Sequence, residues 1–356
     1  MLNRSASNFV KFQKQQMKIL YAIQGTGNGH LSRSMEIVPL LKQMAEVDVL
    51  VSGTRGDLEL PFPVKYKFNG FGFIFGKSGG VDLWKSFYKS RFRNFLKEIH
   101  KVPVADYDLV INDFEPVSAW ACYLKNKPCI GLSHQAAVLS EHSPKPEDSD
   151  MVGKLILKNY APVTVQYGFH FAEFDENIFT PVIRKQVRDQ KIGFKGHYTV
   201  YLPAYDDKRL IKRLSEFKDV EWDVFSKHNK KVLAYKNVSI QPIDNEKFIK
   251  SMAQSAGVLC GAGFETPAEA LFLKKKLLVI PMKSQYEQHL NAAALKSMGV
   301  PVIKSLKPKH EETIQDWIDT GKVIDVNYPD NTREILEHVL KHHSQPASTF
   351  LKTGLA

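Results

Sequence analysis

A chain of 356 residues with 43% apolar and 24% charged side chains reads as globular; a disordered or fibrous protein does not fit that composition. No run approaches the roughly 20 apolar residues of a membrane span. The net charge of +11 asks for an anionic partner: nucleic acid, an acidic membrane surface or a phosphorylated substrate.

The length suits two domains of roughly 150–190 residues each. Residues 1–16 lack the apolar segment of a secretory signal and read as a disordered extension. A strand at Lys18–Gln24 ends in the turn Gly25-Thr26-Gly27-Asn28-Gly29-His30. The helix that follows carries Ile37, Leu40, Leu41 and Met44 at helical spacing, with Pro39 expected to kink it or to mark its weak point. Strands follow at 47–51, 108–113 and 128–133, with a helix over 116–124. Continuous apolar runs separated by helices predict a parallel sheet covered on both faces.

Residues 135–196 break this rhythm. Their composition predicts a loop at 143–150 and an interdomain connection around Thr180-Pro181 and the basic stretch 184–195. Alternation resumes with a strand at 198–202, a helix over 207–217, strands at 221–225 and 232–234, and a helix over 245–254. A strand at 257–260, a helix over 265–273, a strand at 277–281 and a helix over 285–298 come next, then amphipathic helices near 310–320 and 330–343. The expected fold class is α/β, with two Rossmann-like βαβ domains facing a cleft. The N-terminal domain is expected at 17–170, a linker at 171–196, the C-terminal domain at 197–320, and a helix and tail at 321–356. Cys122, Cys129 and Cys260 lie in apolar surroundings without metal-ligand spacing, which fits buried, reduced thiols in a cytoplasmic protein.

The glycine turn is a poor dinucleotide fingerprint. His30 stands where a small residue is needed, and the second strand ends Leu50-Val51-Ser52-Gly53 with no acid for a ribose. No nicotinamide or other cofactor is therefore expected. Gly27, Asn28 and Gly29 instead bring backbone close to a ligand and present His30 at the carboxyl end of the first strand. Histidine suits the removal of a proton from an alcohol near neutral pH; its other reading is a helix cap. Asp113, at the end of the strand 108–113, emerges on the same edge and would hold the imidazole in one tautomer, or else cap the next helix. Glu115 and His134 are rivals on that edge.

The most informative segment is Cys260-Gly261-Ala262-Gly263-Phe264-Glu265-Thr266-Pro267-Ala268-Glu269. An apolar strand passes through small residues into a helix, which aims free N–H groups and the positive end of a helix dipole at one point; a diphosphate fits there. Glu269, one turn into the helix, is placed to accept from a ribose. Glu287-Gln288, past the next strand, is an acid–amide pair suited to a polyhydroxylated ring. Diphosphate, ribose and sugar hydroxyls together make a nucleotide-sugar site.

With Glu287-Gln288-x-x-Asn291-Ala292, the two glycine segments resemble the GT-B glycosyltransferases, in particular a bacterial and archaeal group similar to the UDP-glucuronosyltransferases and to the lipid-linked N-acetylglucosaminyltransferase of peptidoglycan synthesis. The resemblance runs from Met17 to about residue 300. It implies a metal-independent enzyme that moves a sugar from a nucleoside diphosphate sugar, most often a UDP-sugar, to an acceptor hydroxyl. Gly261, Ala262, Gly263, Phe264, Glu265 and Thr266 would hold the diphosphate, Glu269 the ribose, Glu287 and Gln288 the sugar, and the Ile243 backbone the base. His30 and Asp113 would be the catalytic pair; one base with direct displacement favours inversion. Ala262-Gly263-Phe264 replaces the small polar residues found in relatives, which leaves phosphate binding to the backbone. A nucleotide-sugar 2-epimerase of the same fold and a non-catalytic sugar-nucleotide binding protein are the alternatives.

One region stands apart. Phe68, Phe71, Phe73, Phe75, Trp84, Phe87, Tyr88, Phe92 and Phe95 interleave with Lys85, Lys89, Arg91, Arg93 and Lys97. A basic amphipathic helix over 82–99 can lie on an anionic membrane, so residues 70–101 are a candidate for peripheral association at the inner face of the cytoplasmic membrane, with a glycan or lipid-linked acceptor. Aromatic residues at this spacing also serve core packing. No nucleic-acid motif accompanies the charge.

Overall fold

The computed structural model describes residues 16–53, 59–71, 89–147 and 150–343. Among the described residues the first sheet has seven strands: β1 (Lys18–Gln24), β2 (Glu46–Ser52), β3 (Tyr66–Phe68), β4 (Leu109–Asp113), β5 (Cys129–Ser133), β6 (Val165–Phe169) and β7 (Ile178–Phe179). They lie in the order β3-β2-β1-β4-β5-β6-β7, and every pairing is parallel. The second sheet has six: β8 (Tyr198–Tyr201), β9 (Trp222–Ser226), β10 (Leu233–Tyr235), β11 (Val238–Pro242), β12 (Gly257–Gly261) and β13 (Lys276–Ile280). Their order is β10-β11-β9-β8-β12-β13, parallel except for the β10–β11 pair. The expected α/β class with two Rossmann-like sheets is what the chain adopts.

All five residues of β4 and of β5 are buried, as strands covered by helices on both faces require. Open parallel sheets bind ligands where the strand order reverses direction. In the first sheet that point lies between β1 and β4, with Ile23 opposite Asp113. In the second it lies between β8 and β12, with Cys260 opposite Tyr201. One apolar cluster joins the halves: Ile37, Val38 and Leu41 of the helix Asn28–Met44 pack in the same core as Val187, Leu271, Ile335 and Leu336. The last helix, Thr332–His343, is tied to the first domain by a hydrogen bond of 3.1 Å between the Tyr167 hydroxyl and His343 Nε2.

The stretch read as irregular carries regular structure. β6 is a short strand whose Gly168 is required by packing, because a Cβ there would sit 2.6 Å from Ala137 Cβ. β7 and the helices His134–Leu139 and Met151–Tyr160 lie in the same stretch. The helix Asn28–Met44 continues through Pro39. Of the aromatic, basic region, residues 72–88 lie outside the described residues. The helix Lys89–Lys101 buries Phe95 and Ile99 in the core, while Phe92 and Leu96 face solvent. Among the described residues no helix is long and apolar enough to cross a membrane.

Candidate functional site

The carboxyl edges of the two sheets enclose a cleft of about 1540 Å³. Three helices begin at it without a side-chain cap: Asn28–Met44 after Gly27, Glu265–Phe272 after Phe264, and Tyr286–Ser297 after Gln285. Several other described helices are capped by side chains, among them Glu115, Ser133, Asp150 and Asp244, while Lys185–Arg188 and Glu311–Thr320 are not. Backbone N–H groups at a helix start need an acceptor, and where no side chain supplies one an anionic ligand can. Gly27 takes a φ of +94° to make the first of these starts, a backbone that L side chains resist.

His30 and Asp113 meet as the topology requires. His30 Nδ1 lies 2.8 Å from Asp113 Oδ1. Arg33 Nη2 also lies 3.1 Å from Nδ1, but it donates to Asp113 Oδ1 at the shorter distance of 2.7 Å; the carboxylate accepts from both, which puts the imidazole proton on Nδ1 and turns the Nε2 lone pair toward the cleft. Asp113 is fully buried behind His30 and holds it in position. Phe114, at a φ of +56°, stacks on the imidazole with centroids 6.4 Å apart and planes at 11°. A bulky residue in that backbone region is strained, and strain of this kind gathers at functional sites.

Arg33, one turn after His30, organises the rest. Its Nη2 donates to Asp113 Oδ1 at 2.7 Å, and its Nη1 donates to Glu265 Oε1 across the cleft at 2.7 Å. Its side chain is only 2% exposed. Burial pushes the Asp113 carboxyl up, but Arg33 and His30 outweigh it and hold the group below the usual aspartate range. Glu265 goes the other way: burial, reinforced by neighbouring Glu269, raises it to about 7 in spite of Arg33. Gly29 lets the first helix approach this acid, since a Cβ there would sit 3.3 Å from Glu265 Cγ.

The remaining sequence candidates fall into distinct places. Gly263, Phe264, Glu265, Thr266 and Glu269 line the cleft beside Gly27, Asn28, Gly29 and His30. Ala262 is buried behind them, and its carbonyl accepts from Asn291 Nδ2 at 3.1 Å. Gly261 backs onto Gln288, whose Oε1 would be 3.7 Å from an added Cβ. Gln288 itself accepts from the Met282 N–H at 3.0 Å and donates to Gln285. Glu287 accepts from Gln135 Nε2 at 2.9 Å. Both oxygens of Glu269 accept from Arg184, at 2.6 and 2.9 Å, so a ribose would share this carboxylate with a guanidinium. Ile243 is half exposed beside Pro242, Phe225 and Phe248, an apolar corner for a base. His134 is committed to its surroundings: it bonds the Phe169 carbonyl and Asn291 Oδ1, and it stacks on Phe264 with centroids 3.9 Å apart. It therefore steadies the glycine loop from the opposite domain.

Sequence reasoning passed over Arg33, Phe114, Gln135 and Arg184. Arg33 and Arg184 look like ordinary charges on a helix and a linker until the fold brings carboxylates to them. Gln135 sits beside the candidate His134, and that adjacency is its only signal in the sequence. Among the described residues no group of three or more His, Cys, Asp and Glu side chains is placed to hold a metal ion.

Solved structures share this architecture at low sequence identity. LpCGTa in complex with UDP aligns with a TM-score of 0.60 and 10% identity over 93% of this chain and 100% of that chain. The S. aureus MnaA–UDP co-structure aligns with a TM-score of 0.59 and 14% identity over 93% and 99%. UGT2 of Phytolacca americana, complexed with UDP-2fluoro-glucose and pterostilbene, aligns with a TM-score of 0.55 and 13% identity over 92% and 100%. Compared by sequence with curated proteins, the chain has no match. The family described as glycosyl transferase family 1 matches residues 17–320, and with that extent of agreement the chain belongs to it and is a glycosyltransferase of the GT-B fold.

Proposed function

We infer that the chain moves a sugar from a nucleoside diphosphate sugar, a UDP-sugar first among them, to an acceptor hydroxyl, with His30 as general base and inversion at the anomeric carbon. One observation carries the reading: the Nε2 edge of His30, which only a long contact of 3.4 Å to Gln135 Nε2 occupies, and the uncapped start of the helix Glu265–Phe272 open on one cleft, joined by Arg33. The acceptor O–H gives its proton to His30 Nε2 as its oxygen bonds the anomeric carbon. The bond from that carbon to the diphosphate breaks, and the leaving charge settles on the N–H groups of the helix start. Asp113 stabilises the imidazolium that forms. No step calls on a divalent metal.

On the acceptor side, Val152, Ile156, Leu157 and Tyr160 of the helix Met151–Tyr160 line the cleft, while Met151, Leu155, Lys154 and Lys158 face outward. This apolar wall with cations beside it favours a glycan acceptor carried on a lipid, reached from the cytoplasmic side of an anionic membrane. Support for a nucleotide donor comes from the relatives of this fold solved with UDP or a UDP-sugar.

Thermal-shift screening of UDP-, GDP-, dTDP- and CMP-sugars should find stabilisation by UDP-sugars, and no response to any of them would sink the reading. An epimerase would convert a UDP-sugar supplied alone to its isomer without requiring an acceptor, so product analysis separates the two activities. Binding also carries a proton signature. A diphosphate at the helix start places negative charge beside Glu265, whose pKa already stands at about 7, and raises it further. UDP binding near pH 7 should therefore take up a fraction of a proton, read as a dependence of calorimetric heat on buffer ionisation. Glu265→Gln should remove that uptake and leave only the proton exchange of the UDP phosphate itself.

A further inference from the structure

We propose that Gln135, a residue of the N-terminal domain, reads a hydroxyl of the transferred sugar and so determines donor specificity. The side chain is buried, with the residue 3% exposed, yet it lines the cleft. Its Nε2 donates to Glu287 Oε2 at 2.9 Å and lies 3.4 Å from His30 Nε2. A carboxylate oxygen accepts, so the amide nitrogen faces Glu287 and the orientation of the carboxamide is set. Its oxygen Oε1 then points away from Glu287, buried and without a partner among the described residues. A buried acceptor left unpaired is costly, and native proteins seldom keep one that no ligand satisfies.

The geometry assigns the missing donor. The second amide hydrogen faces His30 Nε2 over a long contact, at the place where the acceptor hydroxyl must arrive. Glu287, to which the amide is tied, stands beside Gln288 at the start of the helix Tyr286–Ser297, where the sugar would sit. A sugar hydroxyl that donates to Gln135 Oε1 fills the vacant bond and lies between the two domains. Only a donor with a hydroxyl at that position completes the set, because a deoxy sugar leaves Oε1 buried and unpaired. Sites of this kind reject the analogue that lacks the group.

This inference rests on the nucleotide-sugar reading of the cleft, and the test separates the two. Calorimetry would compare wild type and Gln135→Met, which keeps the side chain's length, with UDP, UDP-glucose and a series of UDP-glucose analogues each lacking one sugar hydroxyl. UDP should bind both proteins equally, which also shows that the variant is folded. UDP-glucose should bind the variant about tenfold more weakly, the effect of one hydrogen bond. One deoxy analogue should lose about tenfold on wild type and nothing further on the variant, the non-additivity expected of groups in contact. If UDP binds but UDP-glucose does not distinguish the two proteins, the role of Gln135 is overturned and the nucleotide reading stands. If wild type binds neither UDP nor UDP-glucose, both fall.

Discussion

Replacing His30 by alanine should lower turnover by about 10²–10⁴-fold while leaving the affinity for UDP unchanged, since positioned general bases contribute on that scale. The split follows from the geometry. His30 presents Nε2 to the acceptor side, and the helix start that would take the diphosphate belongs to the other domain. Asp113→Asn should act in the same direction for a different reason. An amide that turns its NH₂ toward Nδ1 favours the tautomer with the proton on Nε2, which removes the lone pair that the proposed reaction uses. Steady-state release of UDP together with UDP calorimetry checks both. A His30→Ala enzyme with normal turnover would remove the histidine from the reaction, and one that no longer binds UDP would make it a donor ligand instead.

Arg33→Met should destabilise the fold by about 3–5 kcal/mol, the range for removing one partner of a buried ion pair. Two carboxylates depend on this guanidinium, Asp113 behind the histidine and Glu265 across the cleft. Arg33→Lys keeps the charge but loses the planar fork that reaches both acids, so it should recover only part of the loss. Urea unfolding measures the difference; a change below about 1 kcal/mol would mean that the crossing pair contributes little. The pH dependences of the two acids oppose each other. Asp113 has a depressed folded pKa, so its contribution is present above the unfolded value of 3.8 and is lost as pH falls through the folded one. Glu265 has a folded pKa raised from 4.5 to about 7, so the native state holds the extra proton and stability falls as pH rises through that window.

The parts of the site that were legible from sequence are those written as contiguous strings. The turn Gly25–His30 and the segment 260–269 each combine a strand end, small residues and a helix start, and local rules suffice to read them. Asp113 was legible through topology, because a parallel sheet delivers the ends of β1 and β4 to one edge. Arg33 was not, since its partners lie 80 and 232 residues away and nothing local distinguishes it from a solvated helix charge. The Arg184–Glu269 pair hid in the same way, behind a basic stretch that reads as linker. β6, β7 and the helix Met151–Tyr160 escaped because short strands and a lysine-broken apolar helix carry too little periodicity to outweigh the proline- and serine-rich loop beside them.

A crystal structure of the protein with UDP bound tests the assignment of the cleft most directly. The diphosphate is expected against the N–H groups at the start of the helix Glu265–Phe272, its terminal phosphate facing His30, with the base against Pro242 and Ile243. UDP held elsewhere in the cleft, or with its terminal phosphate turned away from His30, would contradict that assignment.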